Sequence, residues 1–289
     1  MEIPPEILKC VVFLCYEEHK DNNTTEYTPF GTAFFVIMST GQVSHFYLVT
    51  AKHCIEELNK KGAQDVYIRM NTTSGIKHIK VTMSAKWYYH PDHDTNPVDV
   101  AVTQLPIHVD GSDDIKMISD EWFLKEENIT KKDIDIGDDV FITGLFSRHY
   151  GQERNLPIVR VGNIAMLSEE KVWTSWLGGK YIDAYLIEAR SIGGISGSPV
   201  FFREPYFKNG SLKLGQNKYY LAGMIHGHWP VDESKIDTAV DSKKERDVNM
   251  GIAIVTPAIK ILETLDQKEL KDMRERSERN YQNKNASEK

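Results

Sequence analysis

The chain has 289 residues, 40% of them hydrophobic and 27% charged, with a formal net charge of -7. That length suits one large or two medium domains with a sizeable core, and the composition is that of a globular protein. The acidic balance excludes general nucleic-acid binding, which needs a basic face against phosphate, and no run approaches the roughly eighteen apolar residues of a membrane span.

The opening segment, Met1-Glu2-Ile3-Pro4-Pro5-Glu6, carries no basic residue, and the apolar stretch Cys10 to Cys15 is too short for a secretory signal. Val11 to Tyr16 is rich in β-formers. Thr32 to Ile37 and Phe46 to Thr50 flank a turn at Ser39-Thr40-Gly41-Gln42 and predict a hairpin. A short helical turn is expected over Ile55 to Lys61, ended by Gly62. Further strands are expected over Val66 to Met70 and Ile76 to Met83. Trp87-Tyr88-Tyr89-His90-Pro91 leads into a polar loop, and residues 107–136, with Asp110-Gly111-Ser112-Asp113-Asp114, have the composition of a linker. Gly137 to Gly144 opens a second series of strands, continued by Ile158 to Met166, Ala184 to Glu188, Tyr219 to Ile225 and Gly251 to Val255. Short strands at regular spacing predict an all-β architecture of barrels. From Pro257 the period changes: Thr256 suits an N-cap, and Ile259, Ile261, Leu262, Leu265 and Leu270 form a helical stripe. Beyond Met273 the charged, polar tail predicts disorder.

Three runs carry chemistry. Leu48-Val49-Thr50-Ala51-Lys52-His53-Cys54 places a histidine beside a strand. Pro97-Val98-Asp99-Val100-Ala101-Val102 places an aspartate at a strand start. Gly193-Gly194-Ile195-Ser196-Gly197-Ser198-Pro199-Val200 places a serine in a glycine-rich turn. A serine hydroxyl becomes a nucleophile only when a base takes its proton, and the base needs a partner to fix its tautomer. Taken singly, each residue has a structural explanation: a half-buried histidine, a strand-initiating aspartate, a tight turn. In the order His, Asp, Ser they point to catalysis. A second cluster, His90-Pro91-Asp92-His93-Asp94, offers metal-ligand types, but it sits on a proline-broken loop with no spacing that would converge them, so no metal or cofactor is expected.

These runs resemble the chymotrypsin-like serine peptidases over roughly residues 28–265, and most closely the V8-type glutamyl endopeptidases, with a weaker likeness to HtrA-type proteases. Thr50-Ala51-Lys52-His53-Cys54 is similar to their Thr-Ala-Ala-His-Cys segment, Asp99-Val100-Ala101 to their Asp-hydrophobic-Ala, and Gly194 to Pro199 to their Gly-x-Ser-Gly-x-Pro. The resemblance implies two six-stranded antiparallel β-barrels with a C-terminal α-helix. The first barrel would span 1–125 and carry His53 and Asp99. The second would span 126–256 with Ser196, and 257–289 would form the helix and charged tail. It implies catalysis by His53, Asp99 and Ser196, an oxyanion hole at the N–H groups of Gly194 and Ser196, and a P1 pocket lined by Ser191 and His226 that favours Glu, with Asp or Gln next. Lys52 and His228 depart from the family pattern, and Ile195 stands where zymogen-activated relatives carry an aspartate, which rules out that activation route. Met38 stands near where secreted relatives place a half-cystine partner for Cys54, so Cys54 is expected to be a free thiol, in keeping with a cytoplasmic location. The implied partner is a protein or peptide substrate, with a regulatory partner left open. A silent peptide-binding module and an esterase remain the alternative functions.

Overall fold

A computed structural model describes residues 3–20, 24–60, 62–63, 65–82, 86–92, 97–105, 110–174, 179–189, 195–205, 207–208, 211–212, 218–231 and 248–287. The N-terminal half comprises helix α1 (Pro5–Lys9), strands β1 (Val11–Lys20), β2 (Thr24–Thr40) and β3 (Val43–Thr50), helix α2 (Lys52–Lys60), and strands β4 (Asp65–Thr72), β5 (Gly75–Thr82), β6 (Tyr88–Tyr89), β7 (Ala101–Gln104) and β8 (Ile118–Ser119). Helix α3 (Glu126–Lys131) leads to β9 (Asp139–Gly144), β10 (Ile158–Met166), β11 (Val172–Thr174), β12 (Lys180–Ile182), β13 (Tyr185–Glu188), β14 (Pro199–Arg203), β15 (Phe207–Lys208), β16 (Ser211–Leu212), β17 (Tyr219–Val231) and β18 (Val248–Pro257). Helices α4 (Ala258–Leu265) and α5 (Lys268–Ser287) close the chain.

The second half closes as a six-stranded antiparallel barrel in the order β10-β13-β18-β17-β14-β9. The first half is an eight-stranded sheet in the order β5-β4-β1-β2-β3-β7-β6, with β8 added in parallel to β2. Among the described residues its edges do not pair, so hydrogen bonding closes one barrel where two six-stranded barrels were expected. The sheet bends where β1 slips register on β2 between Leu14 and Cys15. Cys15 there faces Pro29, which has no N–H to give the ladder. The β2–β3 turn uses Gly41 at φ 60, a conformation that favours glycine.

Strands β2, β3 and β4 are buried on both faces over Phe34, Phe35, Tyr47, Leu48 and Ile68, and the same apolar cluster continues into Phe141, Phe201, Leu221 and Met224 of the second half. The two halves therefore share buried surface along their junction, where the site lies. The segment read as a linker, residues 107–136, is built into the body where it is described, from Asp110 on. Ile118, Phe123 and Leu124 are buried, the Leu124 N–H donates to Leu221 O at 2.9 Å, and the Asp114 carboxylate takes both Lys9 and Arg154.

The C-terminal helix is two helices, and the charged tail from Arg274 to Ser287 is helical where disorder was expected. Arg274, nearly buried, donates to Leu265 O at 2.8 Å, Asp266 Oδ1 at 2.9 Å and the Tyr47 hydroxyl at 3.2 Å. It thus satisfies the free carbonyl end of α4 and ties α5 to β3. One turn later Glu278 Oε2 accepts the N–H groups of Gln42 and Val43 at 3.0 and 3.2 Å. A tail that looked too polar to pack instead uses its charges on the open groups of the β2–β3 turn. Among the described residues no helix is long and apolar enough to cross a membrane.

Candidate active site

Strand pairing brings the first two residues together. Thr50, the last residue of β3, faces Ala101, the first of β7. The chain leaves β3 straight into α2, and it enters β7 from Asp99. The helix begins at Lys52, so His53 sits in its first turn, where backbone N–H groups have no partner within the helix. Asp99 Oδ1 accepts the His53 N–H at 2.9 Å, and Asp99 Oδ2 lies 2.7 Å from His53 Nδ1. One carboxylate therefore caps the helix and orients the imidazole it carries. The helix starts three residues before the predicted Ile55 because this cap comes from a residue distant in sequence.

A third residue joins them. His226 Nδ1 lies 2.6 Å from the same Asp99 Oδ2. His226 stands at a bulge: β17 pairs Ile225 with Val255 and then Gly227 with Ile254, leaving His226 without an opposite residue. A bulge turns one side chain out of the alternating pattern. Here Ile225 stays in the barrel core and His226 turns to Asp99. The two imidazole rings stand edge-on, with centroids 5.8 Å apart and planes at 82°. Both Asp99 and His226 are buried, whereas the His53 side chain keeps 21% of its surface exposed. Nothing in the sequence assigned His226 to the aspartate. The usable signal was its position directly after the glycine-broken apolar run Leu221 to Ile225, which fits a bulge as well as a pocket wall.

Ser196 occupies a turn clamped from two sides. The Ser198 N–H donates to Ile195 O at 2.9 Å, Gly197 N–H to Ile225 O at 3.0 Å, and Thr32 N–H to Ser196 O at 3.1 Å. Gly197 has φ 81, and a Cβ there would come within 2.1 Å of Thr32 O and 3.3 Å of the Ala51 amide nitrogen. The turn thus rests on the backbone just before His53. It is also tied to the residue just before His226. Ser198 was not singled out from sequence; it is fully buried, and its Oγ has no hydrogen-bond partner among the described residues. Ser191 and Gly194, expected in the P1 pocket and oxyanion hole, lie outside the described residues, as does the side chain of His228.

Burial opposes charge on both members of the His53–Asp99 pair. For Asp99 the two histidines outweigh it and hold the carboxyl well below the usual carboxylate range. For His53 the Asp99 carboxylate outweighs burial and raises the imidazole above its ordinary value, with the Cys54 sulfur adding in the same direction. Asp99 is then an acceptor only, so the ring nitrogens that face it carry the protons. Each neutral imidazole is left with Nε2 as a free lone pair, which on His53 is a base.

His53, Asp99 and His226 could also supply a metal, with ligand atoms all within 4.8 Å of one another. Two imidazoles and a carboxylate suit Zn²⁺. Coordination through the two Nδ1 atoms would displace the protons that their hydrogen bonds use, so the two arrangements exclude each other. In the second cluster, His90 spends both ring nitrogens inside the protein: Nε2 lies 2.7 Å from Glu263 Oε2 on α4, and Nδ1 accepts the Asp92 N–H at 3.1 Å. His93 and Asp94 lie outside the described residues. Cys10, Cys15 and Cys54 are all unpaired and buried.

No model of a known protein family matches the chain, and no curated protein matches it in sequence. Solved structures do match. The apo MamO protease domain from Magnetospirillum magneticum is 13% identical, with 89% of this chain and 96% of that one covered at a TM-score of 0.47. The Rv3671c protease in an inactive form is 17% identical, with 90% of this chain and 88% of that one covered at a TM-score of 0.46.

Proposed function

We propose that the chain is a serine endopeptidase of the chymotrypsin-like kind, with the eight-stranded sheet of its first half standing for the first barrel of that architecture and its site acting in the cytoplasm on protein or peptide substrates. The observation that supports it is the His53 Nδ1–Asp99 Oδ2 contact of 2.7 Å beside the clamped turn that carries Ser196. Asp99 fixes His53 as the Nδ1–H tautomer. Nε2 then takes the Ser196 proton as Oγ adds to the scissile carbonyl. The N–H groups of Gly194 and Ser196 receive the oxyanion. The imidazolium returns its proton to the leaving amine, the acyl–oxygen bond to Ser196 remains, and water activated by the same Nε2 hydrolyses it. Likeness to the V8-type branch assigns P1 preference to Glu, with Ser191 and His226 as the recognising pair, His226 meeting the carboxylate only as the imidazolium, which carries a proton on Nε2 as well as on Nδ1.

A fluorophosphonate probe and a peptide library, applied to wild type and Ser196→Ala, test the reading. Labelling and cleavage that vanish in Ser196→Ala support it. Labelling without peptide cleavage makes the protein an esterase. No labelling of wild type makes it a binding module. Library profiles with Arg or Phe at P1 would remove the pocket assignment and leave the nucleophile in place.

A further inference from the structure

The geometry points to His226 as a positioning residue for the acid–base pair: by donating its Nδ1–H to Asp99 Oδ2 it shares the carboxylate with His53 and sets how tightly His53 holds its proton. This role takes its meaning from the peptidase reading, but its geometry stands apart from it.

The carboxylate accepts three bonds: the His53 N–H on Oδ1 at 2.9 Å, and two ring nitrogens on Oδ2 at 2.7 and 2.6 Å. Both acceptor directions of Oδ2 are therefore used, and its two imidazoles compete for the same electron density. Asp99 is 3% exposed, so water does not dilute that competition. A donor bonded to a carboxylate stabilises the anion and weakens it as a partner for a second donor. A buried aspartate facing His53 alone would hold the imidazolium strongly and leave little free base near neutral pH. A second, competing donor offsets part of that hold and moves His53 towards the range where a general base works best.

Two further observations support a built device. β17 gives up its regular register between Ile225 and Gly227 to deliver His226. The ring's other nitrogen, Nε2, is buried and unbonded among the described residues. An imidazole placed only for packing would not need the Asp99 contact, and one placed only to bind a ligand through Nε2 would not need the carboxylate behind it. Among the described residues, the other titratable or charged groups facing the cluster are the Cys54 sulfur on α2 and Asp183 between β12 and β13. Asp183 lines a small cavity with Asp99 and lies 3.7 Å from Lys260 of α4.

The test is ring-nitrogen NMR of ¹⁵N-histidine-labelled full-length protein across pH. In wild type, His53 and His226 should both show the proton on Nδ1. In His226→Gln, which reaches the Nε2 place but leaves no donor at Nδ1, the His53 midpoint should rise by about half a pH unit or more. In His226→Asn, whose amide overlays Nδ1, it should stay close to wild type. A purely structural role would lower the melting temperature of both variants without moving the midpoint. An unchanged His53 midpoint in His226→Gln overturns the proposal. So does a wild-type His226 that carries its proton on Nε2 with Nδ1 bare, a result that needs no variant to fold. Because NMR reads His53 directly, a wild type that cleaves no peptide and resists fluorophosphonate defeats the peptidase reading without deciding this one.

Discussion

Gly197→Ala is the sharpest test of how the Ser196 turn is held. An alanine at φ 81 costs about 1–2 kcal/mol from its own backbone. Its Cβ would also sit 2.1 Å from Thr32 O and 2.6 Å from Thr50 Oγ1, where ordinary contact begins at 3.4 Å. The shortfall against the carbonyl is 3.4 minus 2.1, or 1.3 Å. Thr32 cannot yield easily, because its carbonyl accepts Thr50 Oγ1 at 2.8 Å and its amide donates to Ser196 O at 3.1 Å. The turn must move instead, and Ser196 with it. A misplacement of about 1 Å at a reacting group is worth roughly 100-fold in rate. Peptide cleavage and fluorophosphonate labelling should therefore both slow by about two orders of magnitude, while the far-ultraviolet spectrum remains that of a folded β protein. An alanine variant that labels at the wild-type rate would refute both the rigidity of the turn and its part in the chemistry.

The raised His53 and depressed Asp99 fix two pH trends. Activity should rise with pH through a midpoint above the ordinary histidine value of about 6.5, and a rate profile flat from pH 5 to 8 would contradict this. For stability, the depressed carboxyl contributes above its unfolded value of about 3.9 and loses that contribution as pH falls. The raised imidazole contributes fully below about 6.5 and loses it as pH rises through the folded value. Urea midpoints of wild type and Asp99→Asn should then differ most between about pH 4 and 6.5, and a difference independent of pH would sink the argument. Arg274→Ala removes a nearly buried guanidinium with three acceptors and should cost about 2–3 kcal/mol in urea unfolding; a loss under about 0.5 kcal/mol would mean α5 is not docked as described. Burial pushes the Cys15 thiol up to about 12 and raises Cys10 as well. With all three thiols buried, Ellman's reagent should find no fast-reacting cysteine until denaturant is added, and prompt modification of native protein would show that the core around them opens.

The strands of both halves were legible where an apolar run was bounded by turn residues, as in β3 after Gly41 and β9 after Gly137. β14, Pro199–Arg203, was missed. It follows the serine turn without a gap, so no separate turn signal marks its start, and it opens with Pro, which demotes a run as a strand. It is buried on both sides, which is why its pattern is continuous. The hairpin β11–β12 was missed because three-residue strands carry too little period. The open edge of the first sheet depends on pairings between distant segments, and no local pattern encodes those. At the site, His53 and Asp99 were legible from motif order, because strand pairing alone joins them. The contact of His226 with Asp99 was not, since a bulge is a mismatch between two strands and neither shows it alone. The order in α5 was hidden for a related reason. Its charges are satisfied by Tyr47, Leu265 and the Gln42–Val43 backbone, none of them adjacent in sequence.

The candidate site residues stand where regular structure is interrupted. His53 is in the first turn of a helix, Asp99 precedes a strand, Ser196 is in a turn that needs a left-handed glycine, and His226 is at a bulge. Within a sheet every side chain is committed to one face or the other and every backbone group to a neighbour, so such positions cannot converge on a point. Exits from regular structure are free to converge, but each leaves backbone groups to satisfy. In this chain the satisfying partners lie in the site or in the segments next to it. Asp99 caps the helix of His53, Ser196 O accepts from β2, and Gly197 donates to the residue before His226. Asp99 joins His53 and His226 directly, and the Gly197–Ile225 bond links the Ser196 turn to the residue before His226, so the cluster should respond to mutation as a unit, with losses that do not add. Double variants supply the measurement. If Gly197→Ala and His226→Gln combine in stability to within about 0.3 kcal/mol of their sum, the turn and the bulge are independent and this account of the site fails.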